Sequence, residues 1–173
     1  MTTSTRYPAQ TWEELQTRLA GSFTARLRGL LAPEISLSGP EGEFGKVRRS
    51  PSGAKVEAGS LNAVIEQIGN ARYRMLTGDR RDDVTLVAEP AGRSVDLLEV
   101  GIGERTYQAR TSFLWNRAAI LSPEGKEVAR LKGNLTGRRY EVAFDPEMVG
   151  TLPVAVLILY HTIINRSRVF RAG

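Results

Sequence analysis

The chain has no cysteine and one histidine among its 173 residues. The first absence excludes a disulfide framework and thiolate metal or redox chemistry. It suits a reducing compartment, so the expected location is the cytoplasm, either free or peripheral at a membrane. A single histidine excludes any multi-histidine metal site, and its position inside an apolar segment argues against a catalytic triad. The lone His161 sits inside an apolar segment, where a satisfied, buried imidazole is the expectation. Aromatic residues make up only 7% of the chain and few stand beside basic ones, which weakens a nucleic-acid-binding reading. The polar stretch Met1 to Gln10 lacks the run of roughly 7 to 15 apolar residues that a secretory signal requires, and is expected to be a disordered lead-in, 1–10.

Metal-ligand and phosphate-loop patterns are also missing. Asp79, Asp82 and Asp83 are separated by Arg80 and Arg81 and lack the spacing of a calcium loop, so a solvated turn is expected there. Gly101-Ile102-Gly103-Glu104 has too few glycines for a dinucleotide fingerprint and no helix after it; it reads as a turn. No nucleophile–base pair is visible, and no enzyme activity, metal or cofactor is expected.

Long hydrophobic runs are absent but for one, Val149 to Ile164. A membrane-crossing helix needs about 20 apolar residues; this run has 16, with Thr151, Tyr160, His161 and Thr162 among them. A helix apolar on nearly every face but too short to span must be enclosed by protein. Its start carries helix signals twice, Asp145 before Pro146 and Thr151 shortly before Pro153, each a capping side chain with a first-turn proline. The core helix is placed at 152–166, where the β-branched residues would also suit a strand.

The chain is otherwise rich in alternating patterns. Trp12, Leu15, Leu19, Phe23, Leu27 and Leu30 recur at steps of three and four after the capping-box pair Thr11 and Glu14, predicting an amphipathic helix over 11–31 that ends at Pro33. Beyond it come short period-two runs divided by Gly, Pro and Asp turns: Ile35–Ser38, Phe44–Arg49, Ala54–Ala58, Arg72–Leu76, Val84–Ala88, Val95–Ile102, Arg105–Arg110, Ser112–Leu121, Lys126–Lys132 and Arg138–Phe144. Ser60–Gly69 reads as a short helix, from Leu61, Val64, Ile65 and Ile68. The turns Pro40-Glu41-Gly42 and Pro123-Glu124-Gly125 begin parallel stretches that suggest two related halves. The fold class is mainly β, a barrel or sandwich, in a single domain of residues 11–173.

A net charge of +5 tilts the surface toward anionic partners. Lys126, Arg130, Lys132, Arg138 and Arg139 fall on adjacent candidate strands, and Lys46 and Arg48, with Arg49 and Lys55, take the corresponding places in the first half. Strand residues two apart share a face, so Arg130 and Lys132 point together, as do Lys46 and Arg48. Converging Arg and Lys donors match phosphate oxygens; alternatively they are edge charges that deter aggregation.

The order Gly125 to Lys132, then Tyr140-Glu141-Val142-Ala143-Phe144-Asp145-Pro146-Glu147, then the apolar Leu152 to Ile164, resembles the C-terminal part of the LURP-one-related and phospholipid scramblase group. That resemblance implies the tubby C-terminal fold, a closed twelve-stranded β-barrel around a hydrophobic C-terminal helix. It also implies a non-enzymatic module binding an anionic phospholipid or another phosphorylated ligand. Tubby domains use basic side chains for this, but their positions do not align one by one with this chain. Two departures stand out: the additional N-terminal helix, and the absence of cysteines for lipidation. The alternatives are a scramblase-like protein with Val149–Ile164 inserted in a membrane, flanked by Arg166, Arg168 and Arg171, and a nucleic-acid-binding regulator.

Overall fold

The computed structural model describes residues 11–29, 34–78 and 84–171, with the backbone alone for 167–171. Residues 1–10, Leu30, Pro33, Asp79, Asp82 and Asp83, and the side chains of Arg168 and Arg171, lie outside what is described. In chain order the elements are α1 (Trp12–Leu19), β1 (Ser22–Arg28), β2 (Glu34–Gly39), β3 (Gly42–Ser50), β4 (Gly53–Ala58), β5 (Leu61–Gly69), β6 (Arg72–Thr77), β7 (Val84–Pro90), β8 (Leu97–Ile102), β9 (Arg105–Ser112), β10 (Arg117–Leu121), β11 (Glu127–Gly133), β12 (Arg139–Phe144) and α2 (Thr151–Arg171).

Each strand pairs antiparallel with its sequence neighbour, and β1 pairs with β12, so the sheet closes into a barrel. Closure leaves no unpaired edge. Alternation puts one face of each strand inward, and many inward positions are small: Ala25, Ala54, Ala63, Ala88, Ala109 and Ala118 are all buried. A helix is about 10 to 12 Å across, and a wall trimmed with alanine leaves room for one. That room is taken by α2. Leu152 to Tyr160 are almost wholly buried on every face, which is why the segment is apolar all round.

Two predicted helices are different in the structure. The N-terminal helix stops at Leu19, because Ala20 takes a left-handed conformation (φ 55°) and Gly21 follows at φ 104°. The chain then turns into β1, where Phe23 and Ala25 face the core. Phe23 and Leu27 satisfy a step of four and a period of two equally well, and pairing with β2 and β12 decides between them. Ser60–Gly69 is likewise not a helix. It is β5, with Leu61, Ala63 and Ile65 inward, as its β-branched Val64, Ile65 and Ile68 favour. The predicted likeness of the two halves therefore stops after β4 and β12, one being followed by a strand and the other by α2. Their Pro-Glu-Gly turns nevertheless lie at the same end of the barrel, between β2 and β3 and between β10 and β11.

At that end α1 closes the bore. The Thr11 hydroxyl caps its first turn, accepting from Glu14 N at 3.1 Å. Trp12 Nε1 donates to Thr77 Oγ1 at 3.0 Å. The start of α2 is capped from α1 rather than from its own sequence. Leu152 N donates to Gln16 Oε1 at 3.1 Å, while Gln16 Nε2 donates to Pro146 O (2.9 Å) and Met148 O (2.7 Å). Thr151, expected to cap by accepting, instead donates its hydroxyl to Asp145 O at 2.7 Å; Pro153 does lie in the first turn. Gln16→Leu should keep the packing volume but strand a buried N–H and two carbonyls. We expect a loss of about 2 kcal/mol, or roughly 4 to 8 °C in thermal melting for a chain of this size. An unchanged melting temperature would show that Gln16 does not hold the two helices together.

Candidate functional site: a basic outer wall

The barrel has two unlike ends. Glu41, Glu104, Glu124, Glu127, Asp145 and Glu147 cluster at the α1 end, with Glu13 and Glu14 on α1 itself, against Arg18, Arg105 and Lys126. At the far end, where α2 emerges, the strand tips and loops carry Arg28, Arg72, Arg93, Arg117, Arg138 and Arg139 against Glu34, Glu89 and Asp96, with Arg72 paired to Glu89 at 3.1 Å.

This polarity divides the residues singled out in the sequence. Lys126 sits in the turn before β11 at the acidic end, away from Arg138 and Arg139 at the far end. Arg130 and Lys132 do point together, both exposed on the outside of β11 with Leu131 buried between them. Lys46 and Arg48 likewise face outward on β3 around buried Val47. Both reach Glu34: Arg48 Nε at 3.1 Å and Lys46 Nζ at 4.0 Å.

Barrel closure brings the two groups toward each other. Arg139 lies opposite Arg26, Arg26 opposite Ser36, and Ser36 opposite Lys46, forming one outward row across β12, β1, β2 and β3. With strands spaced about 4.8 Å apart, that row is roughly 14 Å long. Ser36 Oγ is buried within it and has no hydrogen-bond partner among the described residues. On the next strands Arg117 lies opposite Lys132. Arg26, Arg110 and Arg117 were not among the residues predicted from the sequence. The helical stripe of the sequence places Arg26 in a helix, and period two in Arg105–Arg110 is the one signal that Arg110 faces outward.

Two shallow grooves flank Arg130 and Lys132. One, of about 430 Å³, runs along the β1–β12 seam, with Ser22, Thr24, Ser38 and Glu141 in its lining. The other, of about 600 Å³, is bordered by Arg110, Ser112 and Arg117. Glu127 holds the Arg130 guanidinium through two hydrogen bonds, 2.6 and 2.8 Å long. That contact, more than any other, keeps the Glu127 carboxyl below its ordinary range. Glu141 stands opposite Lys132.

The interior offers polar chemistry of another kind. His161 Nε2 lies 3.0 Å from Val95 O, a pure acceptor, so Nε2 carries the proton. Nδ1 then accepts from Tyr73 Oη at 2.8 Å and from Asn165 Nδ2 at 3.0 Å. The imidazole is buried and engaged on both nitrogens, as expected for a structural residue. Among the described residues, no group of three or more His, Asp or Glu side chains gathers to hold a metal. None of their helices is long and apolar enough to cross a membrane, which leaves crossing by strands untouched.

No family model matches the chain, and no curated protein does. Among solved structures it is similar to a protein of Arabidopsis thaliana, AT5G01750, at 11% identity and a TM-score of 0.59, over 84% of this chain and 91% of that one. At that identity the likeness is one of fold, and the fold they share is the twelve-stranded barrel.

Proposed function

We propose that this chain is a tubby-like, non-enzymatic binding module whose basic outer wall takes a phosphorylated ligand, an anionic phospholipid headgroup foremost. The observation that carries this reading is a pair of like-charge pairings in the sheet register, Arg117 opposite Lys132 and Arg26 opposite Arg139. Like charges directly opposite on neighbouring strands destabilise a sheet. An anion seated between them turns that repulsion into attraction, with charge-assisted hydrogen bonds from guanidinium and ammonium groups. The seam groove beside Lys132 is large enough for a phosphorylated headgroup and adds the hydroxyls of Ser22, Thr24 and Ser38, a ligand there sharing Lys132 with the Glu141 carboxylate of the same lining. The fold and its enclosed helix agree with what the resemblance to the LURP-one-related and scramblase group implies. A scramblase-like insertion of α2 would have to draw Leu152 to Tyr160 out of the barrel core, so the bound form we favour keeps the helix inside.

The test is co-sedimentation with phosphatidylcholine vesicles with and without phosphatidylserine, alongside thermal melting in inositol hexakisphosphate. Binding should require the anionic lipid and fall as salt rises, since a Debye length of about 10 Å at 0.1 M screens surface charge. Soluble phosphate ligand should raise the melting temperature. The double variant Lys132→Ala/Arg139→Ala should weaken both responses at least tenfold. Equal binding to neutral vesicles, or a double variant that behaves like the parent, would overturn the reading.

A further inference from the structure

The three most exposed large apolar side chains of the far end stand together on two neighbouring hairpin tips, ahead of Ile68 (56% exposed) at the end of β5. Leu114 (66% exposed) and Trp115 (69%) occupy the turn between β9 and β10, and Leu135 (94%) the turn between β11 and β12. These tips are held, not slack. Gly133 N donates to Asn116 O at 2.8 Å and Asn116 Nδ2 donates to Asn134 O at 3.0 Å, tying one turn to the other. Asn116 itself takes φ 56°, the left-handed conformation that lets the chain reverse directly after Trp115. From the helix side, Arg166 donates to Phe113 O (3.0 Å) and to Leu135 O (2.9 Å). A Trp and two leucines fixed in water are unusual on a soluble surface and mark a place that is covered in use.

What covers it is indicated by the charge around it. Arg117 and Lys132 lie just below the two tips and Arg138 and Arg139 follow Leu135 into β12, while Glu34, Glu89 and Asp96 of the same end sit on other strands and loops and most of the remaining turn acids gather at the opposite end. A bilayer with anionic headgroups matches that layering: an apolar tip at the acyl boundary, an indole at the interface, and a cationic belt at the level of the phosphates. The same field turns the acidic α1 end away from a negative surface. We propose that the barrel docks end-on onto an anionic phospholipid bilayer, inserting Leu114, Trp115 and Leu135 with Arg117, Lys132, Arg138 and Arg139 on the headgroups. This rests on the binding reading above and specifies its ligand as a membrane surface and its contact as the far end.

Trp115 reports its own position, because the other tryptophan, Trp12, is buried at the α1 end. The emission of the full chain should be compared with that of Trp115→Phe on vesicles of phosphatidylcholine and phosphatidylserine with brominated acyl chains. The parent should shift to the blue and be quenched, and Trp115→Phe should do neither. Leu114→Ser/Leu135→Ser should lose at least tenfold in vesicle binding while keeping its response to inositol hexakisphosphate. Vesicle binding with unchanged Trp115 emission would overturn end-on insertion and leave the basic-wall reading standing. No response to vesicles or to the soluble phosphate would remove both. A Trp115 response to a single-stranded oligonucleotide but not to vesicles would replace the membrane with a nucleic acid and also overturn the proposal.

Discussion

Val156→Asp should abolish cooperative folding of the whole barrel. Val156 lies in the middle of the enclosed part of α2 and is 1% exposed, with Leu152, Ala155, Leu157, Ile158, Leu159 and Tyr160 equally buried around it. A carboxylate there meets no charged partner, and protonation or water entry only partly relieves a desolvation penalty of several kcal/mol. The entire stability of a domain is about 5 to 15 kcal/mol, so one such group suffices. Truncation after Phe144 should do the same by a different route. It empties the bore of several large apolar side chains, each worth about 1.5 to 3 kcal/mol when buried. Circular dichroism melting is the measurement, with the exposed Leu135→Ser as a control that should melt like the parent. A Val156→Asp protein with parental melting would mean that α2 is an appendage rather than the core.

Gly53→Ala is expected to have the second largest effect, at a site with no charge and no cavity. A Cβ on Gly53 would overlap the carbonyl oxygen of Ile65 on β5, which is backbone and has no freedom to swing aside. The same glycine's carbonyl accepts a hydrogen bond from Tyr160 Oη on α2 at 3.2 Å. Parting β4 from β5 to admit the methyl group therefore also pulls the wall away from the core helix. Overpacking of this kind costs about 3 kcal/mol or more, roughly 6 to 12 °C in melting temperature for a chain of this length. Gly92→Ala is the matched control, because nothing lies within 4 Å of its would-be Cβ. Similar melting temperatures for the two variants would show that the β4–β5 approach is not tight.

The strands predicted from alternation are all present, with ends shifted by a few residues: Val95–Ile102 begins at Leu97, and Ser112–Leu121 is interrupted by the turn at 113–116. Those strands were legible because each carries its inward face in its own sequence, as Tyr107, Ala109 and Thr111 do on β9. β1 and β5 were not, because their apolar residues fit two periods at once. Phe23 and Leu27 continue the stripe of Trp12, Leu15 and Leu19 across Gly21 as though the helix went on.

The candidate site was legible in pairs but not as a whole. That Arg130 and Lys132 share a face follows from strand geometry, as it does for Lys46 and Arg48. That Lys126 belongs to the opposite, acidic end follows from barrel polarity. The turn preceding β11 lies beside α1, whereas Arg138 and Arg139 enter β12 from the other end.

By itself the sequence determined the class of fold and the burial of its C-terminal helix. Period-two alternation, tight Pro and Gly turns and one uninterrupted apolar segment too short to span a bilayer are local properties, and local sterics and hydration set their outcome. Only the tertiary structure decided which cations become neighbours and which apolar tips stay in water. Arg26 meets Arg139 across the closing seam although more than a hundred positions separate them. Leu114 and Leu135 come together because β10 pairs with β11 and Arg166 holds both turns. Such contacts depend on register and closure, which are set by the packing of all twelve strands around α2 rather than by any segment alone.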